Sequence, residues 1–195
     1  MSDGLKKQLR IVDGFLPIDD WARAVDELLK DRWSFPPEGN HKHSRTKVWR
    51  VFDAAVIEEL THILVPRIED AFALQGFTVK RVGINGATPM IESHMHVDGP
   101  PGDMTVVWMA NRDWHPLFGG ELLVFQDEDA WRAPGDTKQP DPSKGISKIE
   151  FTPNRAVMFP SHLVHFPNSP HPRAAHRLRM TVGVHFAAPK EKQNG

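Results

Sequence analysis

The 195-residue chain contains no cysteine and no tyrosine. Without thiols it can hold no thiolate zinc site, no redox disulfide pair and no cysteine nucleophile. Long apolar runs are missing as well. No stretch approaches the roughly 20 apolar residues that cross a bilayer, and residues 1–10 lack the apolar centre of a secretory signal. A dominant charge is also absent: 24 Lys plus Arg against 25 Asp plus Glu leave a formal charge of −1. That balance disfavours a protein that coats nucleic acid, because such proteins neutralise many phosphates with clustered basic residues. What is present, at 39% hydrophobic residues, is the composition of an ordinary soluble domain. A chain of this length buries roughly 70% of its unfolded surface, so its core needs no disulfide or structural metal. The expectation is one cytoplasmic domain over residues 1–195, without membrane contact.

The chain divides by texture. Residues 19–31 place Trp21, Val25, Leu28 and Leu29 at helical spacing with acids at the start, which predicts an amphipathic helix. Residues 56–74 repeat the pattern through Leu60, Ile63, Leu64, Ile68 and Phe72. Pro66 interrupts it, predicting a kink or two helices, and Gly76 reads as a C-terminal cap. After Phe77 come short β-prone runs: 78–84, 91–97, 105–109, 121–125, 146–151, 156–159 and 180–186. Strands without intervening helices cannot form βαβ crossovers. The expected architecture is therefore a two-sheet jelly roll over residues 77–188, with helical support from residues 1–76 packed outside.

Chemistry concentrates in three places. In His94-Met95-His96-Val97-Asp98-Gly99-Pro100, strand alternation puts His96 and Asp98 on one face. An imidazole and a carboxylate, completed by a second imidazole, make the facial triad that leaves coordination positions open on a non-haem iron. The segment from Asn154 to His165 is an apolar strand and a tight turn that delivers His162 and His165, and His165 is the candidate third ligand. Along residues 177–186, Arg179, Thr181 and Gly183 share one face while Met180, Val182 and Val184 share the other. An arginine facing a barrel interior needs an anion, and a guanidinium fork matches a carboxylate, with Thr181 adding a donor.

With these residues in view, the chain resembles the 2-oxoglutarate- and Fe(II)-dependent dioxygenases of the prolyl 4-hydroxylase-like group. The likeness is carried by Asn85-Gly86, His96-Val97-Asp98-Gly99-Pro100-Pro101-Gly102-Asp103, Asn111-Arg112-Asp113-Trp114, Gly119-Gly120-Glu121-Leu122, Phe159-Pro160-Ser161 leading to His165, and Arg179, in that order over residues 81–186. The resemblance implies a double-stranded β-helix (a cupin-like jelly roll) and iron ligands His96, Asp98 and His165. It places Arg179 on the distal carboxylate of 2-oxoglutarate, with Thr181 beside it. It implies Fe(II), 2-oxoglutarate and O₂ as cofactor and cosubstrates, with ascorbate an optional addition. The reaction implied is hydroxylation of a C–H bond in a peptide side chain, prolyl included, or in a small molecule, with 2-oxoglutarate converted to succinate and CO₂. In related hydroxylases a tyrosine helps hold the distal carboxylate. Here Met109 stands at that position, and Thr181 is the substitute.

Alternatives accompany this reading. Arg177 shares the parity of Arg179 and is its rival. His94 competes with His96, and His162 is expected in the loop near the iron. Trp108, Trp114 and Phe125 are expected in the packing rather than in the site. The basic stretch 41–50, with Lys42, Arg45, Lys47 and Arg50, reads as a solvated edge strand, with an anionic substrate at the barrel mouth as the alternative. The acidic connection 126–144 reads as a lid over the entrance. The competing functions are a non-redox cupin-like isomerase or hydrolase using the same ligands, a nucleic-acid oxidative demethylase, and a silent binding module.

Overall fold

The computed structural model describes residues 9–30, 32–35, 48–91, 94–126 and 145–189. Its strands are β1 (Arg10–Val12), β2 (Trp49–Val51), β3 (Thr78–Ala87), β4 (Met104–Met109), β5 (Leu122–Phe125), β6 (Ile146–Ile149), β7 (Arg155–Pro160), β8 (His165–Pro167) and β9 (Arg179–Ala187); its helices are α1 (Ile18–Leu29) and α2 (Ala54–Phe72). The larger sheet has the order β1-β7-β4-β9-β3-β2 and the smaller β6-β5-β8, with antiparallel pairing throughout. This is the mainly β architecture with N-terminal helices that the sequence predicts.

Alternation along the central strands separates two environments. On one face of the large sheet, Ile84, Val106, Trp108, Met158, Met180, Val182 and Val184 pack in one core with α1 and α2 residues such as Leu28, Leu60, Leu64 and Ile68. The opposite face looks toward the small sheet. At one end the space is filled by Met109, Trp114, Leu122, Val124, Phe151, Val157 and Phe159. At the other end it is open.

Of the two outcomes expected at Pro66, a kink or two helices, the second does not occur. Pro66 lies inside one continuous helix of 19 residues. Both Pro66 and His62, whose carbonyl loses its partner, are exposed, so water can satisfy that carbonyl while buried Ile63, Leu64 and Ile68 hold the helix against the sheet. Gly76 is not the cap. The helix ends at Ala73, left-handed at φ 57°, whose N–H donates to Glu69 C=O. Gly76, at φ 87°, instead serves the turn into β3. Residues 91–97 also differ, because no strand forms over their described part beyond an isolated bridge between His96 and His165.

Asn154 ties the N-terminal segment to the barrel. Its buried side chain accepts from Leu16 N–H at 3.0 Å and Trp108 Nε1 at 3.2 Å, and donates to Leu16 C=O at 2.8 Å. It does so at φ 56°, a conformation asparagine tolerates better than most residues. Asn154→Ala strands three buried polar groups and is expected to cost roughly 3 kcal/mol or more in denaturant unfolding. Asn154→Gly, which suits the positive φ, should recover little of that loss. Full recovery would assign the role to backbone strain instead of hydrogen bonding.

Candidate active site

The open end between the sheets is a cavity of about 980 Å³. Its floor is the inner face of the large sheet, where β3, β9 and β4 align Gly83, Gly183 and Val107 in one row and Asn85, Thr181 and Met109 in the next. The facing glycines leave the floor bare, so depth comes from missing side chains.

His165 opens β8 at the cavity wall. The segment carrying His96 joins it through two backbone bonds, His96 N–H to His165 C=O at 3.1 Å and the reverse at 3.0 Å, and Asp98 N–H donates to Ser161 C=O at 2.8 Å. His96 Nε2 then lies 3.7 Å from Asp98 Oδ1, and His165 Nε2 lies 3.3 Å from Oδ2. The three ligand atoms all fall within 4.8 Å of one another. The expected convergence is present, but a backbone bridge to a distant strand creates it, not the alternation of a strand over 91–97.

The ring nitrogens facing away are both engaged. His96 Nδ1 meets His94 C=O at 2.9 Å, and His165 Nδ1 meets Leu163 C=O at 3.0 Å. A carbonyl only accepts, so each Nδ1 carries the proton and each Nε2 presents a lone pair toward the carboxylate. Lone pairs and a carboxylate so close repel unless a cation sits among them. Two imidazoles and one carboxylate suit a divalent first-row metal, and ring orientation fixed from behind is the usual support for such ligands. His94 contributes its carbonyl to this arrangement, and His162 lies outside the cavity lining.

Asp98 is braced from behind. Thr105 Oγ1 donates to its Oδ2 at 3.1 Å, and Thr105 is itself 2.8 Å from Ser161 Oγ. Burial opposes the Asp98 charge, and positive charge on the surrounding rings of His165, His185 and His96 would outweigh it and hold the carboxyl below its ordinary range; with those rings neutral, a metal cation supplies that charge. Sequence reasoning passed over His185, although it continues the series 179, 181, 183 on the inner face of β9. Arg81 Nη2 lies 3.0 Å from His185 Nε2. A guanidinium has no acceptor, so the proton is on Nδ1, which faces Thr105 Oγ1 at 3.4 Å and Asp98 Oδ2 at 3.5 Å. Burial, partly offset by Asp98 and reinforced by Arg81, brings the His185 pKa down to about 4, so the ring is neutral near pH 7.

Arg179 points into the same cavity and is 4% exposed. Its Nη1 donates to Gly120 C=O at 2.8 Å, its guanidinium lies 5.6 Å from the Phe151 ring centre, and its Nε has no partner. Burial lowers its pKa to about 10, against the opposing influence of Glu121. Gly120 is required here: at φ 83°, a Cβ would sit 2.7 Å from Arg179 Cδ. Thr181 lines the cavity beside Met109. Arg177 does not line it; it is exposed and pairs with Asp113 at 3.1 Å. Trp108, Trp114 and Phe125 are buried in the packing, as expected. Arg50 lies on edge strand β2 and lines the cavity, while residues 41–47 and 127–144, with most of the basic stretch and the lid, fall outside the described residues.

No protein-family model matches the chain, and no curated protein does. Solved structures match well. A prolyl-4-hydroxylase of Pseudomonas putida aligns at TM-score 0.59 and 17% identity over 96% of both chains. AviO1 from Streptomyces viridochromogenes aligns at TM-score 0.64 and 16% identity, covering 97% of this chain and 96% of that one. The non-haem α-ketoglutarate-dependent epimerase SnoN of nogalamycin biosynthesis aligns at 0.63 and 14% over 96% of this chain and 83% of its own. At such identities the likeness establishes the fold, the double-stranded β-helix expected from the sequence. Among the described residues no helix is long and apolar enough to cross a membrane.

Metal titration tests the convergence directly. Mn(II) is expected to bind the full chain at one site, and Asp98→Ala or His165→Ala should weaken it at least about 100-fold, since partners behind such ligands alone are worth roughly 10–100-fold. The pH dependence has a defined sign. Burial and the adjacent His165 hold His96 below the ordinary imidazole value of 6.5. Protonation of His96 should therefore compete with Mn(II) only at a pH lower than for an ordinary imidazole. A decline already complete at neutral pH would contradict this environment.

Proposed function

We propose that this protein is a 2-oxoglutarate- and Fe(II)-dependent dioxygenase that oxidises a C–H bond of a peptide side chain, prolyl included, or of a small molecule. One observation carries the reading: Arg179, a buried arginine with an unpaired Nε, shares a cavity with the convergent His96, Asp98 and His165. A buried guanidinium without a counter-ion is unfavourable, and a carboxylate is the ligand whose geometry it matches.

In this reading His96 Nε2, Asp98 and His165 Nε2 hold Fe(II), leaving coordination positions for ligands. Arg179 grips the distal carboxylate of 2-oxoglutarate, and Thr181 adds a hydroxyl donor from the neighbouring position on the same face. When bound, the iron and keto acid supply O₂ activation coupled to decarboxylation to succinate and CO₂. The chain supplies the rest. Thr105 and the Nδ1–H of His185 hold Asp98 from behind, the two carbonyls behind the imidazoles fix their tautomers, and Val107, Met109 and Leu122 line the cavity with apolar surface. A non-redox cupin-like enzyme could use the same three ligands but has no need of a buried arginine beside them. The near-neutral charge supports a peptide or small molecule over nucleic acid. Outcomes in this fold extend from prolyl hydroxylation to epimerisation among the matched structures, so the ligand set alone does not select the product.

Anaerobic addition of Fe(II) and 2-oxoglutarate is expected to produce the weak visible charge-transfer band of chelation, lost in His96→Ala and Asp98→Ala. No band in the unaltered protein would falsify the assignment. Gly120→Ala displaces Arg179 without touching the ligands. It should weaken 2-oxoglutarate at least about tenfold, on the order of one charge-assisted hydrogen bond, while Mn(II) affinity stays within about twofold.

A further inference from the structure

The described residues lining the cavity include three guanidinium groups, Arg50, Arg81 and Arg179, and one carboxylate, Asp98. Two positive charges are left over. Adding Fe(II) and the 2-oxoglutarate dianion would bring two charges of each sign and leave that excess unchanged. The oxygenase reading gives Arg179 an anion, but gives none to Arg50 or Arg81.

These two arginines come from neighbouring strands at the cavity's open side. Arg50 stands opposite Asn85 on edge strand β2, half-buried, with a buried Nε that has no hydrogen-bond partner among the described residues. Arg81 reaches in from β3, with its side chain 61% exposed and Nη2 3.5 Å from Asp98 Oδ1. Burial and the charge of Arg81 lower the Arg50 pKa below its ordinary value, so the two cations feel each other. Among the described residues Arg81 pairs with Asp98, the residue proposed to face the metal. Apolar surface adjoins them: Phe52 and Val97 also line the cavity and are 57% and 51% exposed. Like charges gathered on a partly desolvated surface are unfavourable until an oxyanion joins them, and the guanidinium fork binds carboxylate and phosphate bidentately.

We propose that Arg50 and Arg81 form an oxyanion subsite at the cavity mouth, and that the substrate carries a carboxylate or phosphate bound there, with its apolar body against Phe52 and Val97. That the bound molecule is the substrate rests on the oxygenase reading. The subsite itself stands on the charges and the apolar rim.

Calorimetric titration of the full-length chain with phenyl phosphate, phenylsuccinate and neutral benzyl alcohol separates the possibilities. At least one anionic probe should bind at least about tenfold more tightly than benzyl alcohol, and the better of the two identifies the oxyanion. Arg50→Gln and Arg81→Gln should each weaken that probe at least about fivefold without changing benzyl alcohol. Arg81→Lys, which keeps the charge, should retain most of the affinity, and Arg179→Gln should leave it unchanged. Raised salt should weaken the anionic probes alone. The subsite is overturned by no anionic binding, by equal affinities for charged and neutral probes, by indifference to both glutamine variants, or by loss of the probe in Arg179→Gln. Probe binding that depends on Arg50 and Arg81 without a charge-transfer band would keep the subsite and remove the oxygenase reading. The converse result would do the reverse.

Discussion

Two backbone hydrogen bonds between His96 and His165 organise this site. Sixty-nine positions apart in sequence, the two residues exchange N–H and C=O groups as a single antiparallel bridge. That bridge places their rings 4.4 Å apart between centres and carries Asp98 toward the carbonyl of Ser161. Each ring is then locked by a carbonyl two residues before it, His94 for His96 and Leu163 for His165. The repeated i−2 contact gives both imidazoles the same tautomer, so the lone-pair geometry follows from local backbone shape once the bridge exists. The helices contribute indirectly. By covering the outer face of β3, β4 and β9 they allow the inner face of those strands to remain polar and uncovered.

The sequence reveals the large sheet and its polar face more clearly than the segment that carries two of the proposed metal ligands. Strands β4 and β9 lie inside the sheet with partners on both sides, one face against helices and one toward a cavity. Two unlike environments impose a strict alternation, and it is legible in Arg179, Thr181 and Gly183 against Met180, Val182 and Val184. Strands β1, β2 and β8 have three residues each, too few for a period to show. Residues 94–98 carry the right ligand types, but their conformation comes from hydrogen bonds to His165 and Ser161, which no local pattern reports. His185 was readable by parity alone. Its tautomer is set by Arg81, distant in sequence, which lies against its Nε2.

Pro66 and Ala73 illustrate why local rules misjudged α2. A proline ends a helix when the lost hydrogen bond and the ring clash cannot be absorbed. Here the affected turn faces water, and burial of Ile63, Leu64 and Ile68 on the other side decides the outcome. Likewise the left-handed residue that ends the helix is alanine rather than glycine. The buried Leu74 directly after it, with its N–H bonded to Glu69 C=O, supplies the compensation.

The distribution of arginines gives the cavity a direction. Arg179 lies at the inner end, its guanidinium near Phe151 and tied to the Gly120 carbonyl, where a flexible lysine ammonium could not reproduce the fork. Glu121, the acid whose charge reaches it, is engaged by Lys148 at 2.8 Å, so it offsets the Arg179 charge only partly. Arg81 lies at the outer end but touches the machinery through His185 and Asp98. An anion drawn to Arg81 would compete with Asp98 for the same guanidinium, which lies 3.5 Å from Oδ1. The absence of tyrosine fits this layout. With Met109 on the floor beside Thr181, the inner end offers few donors besides the arginine, and an acid at the mouth meets a cationic surface separate from the one that would hold the keto acid.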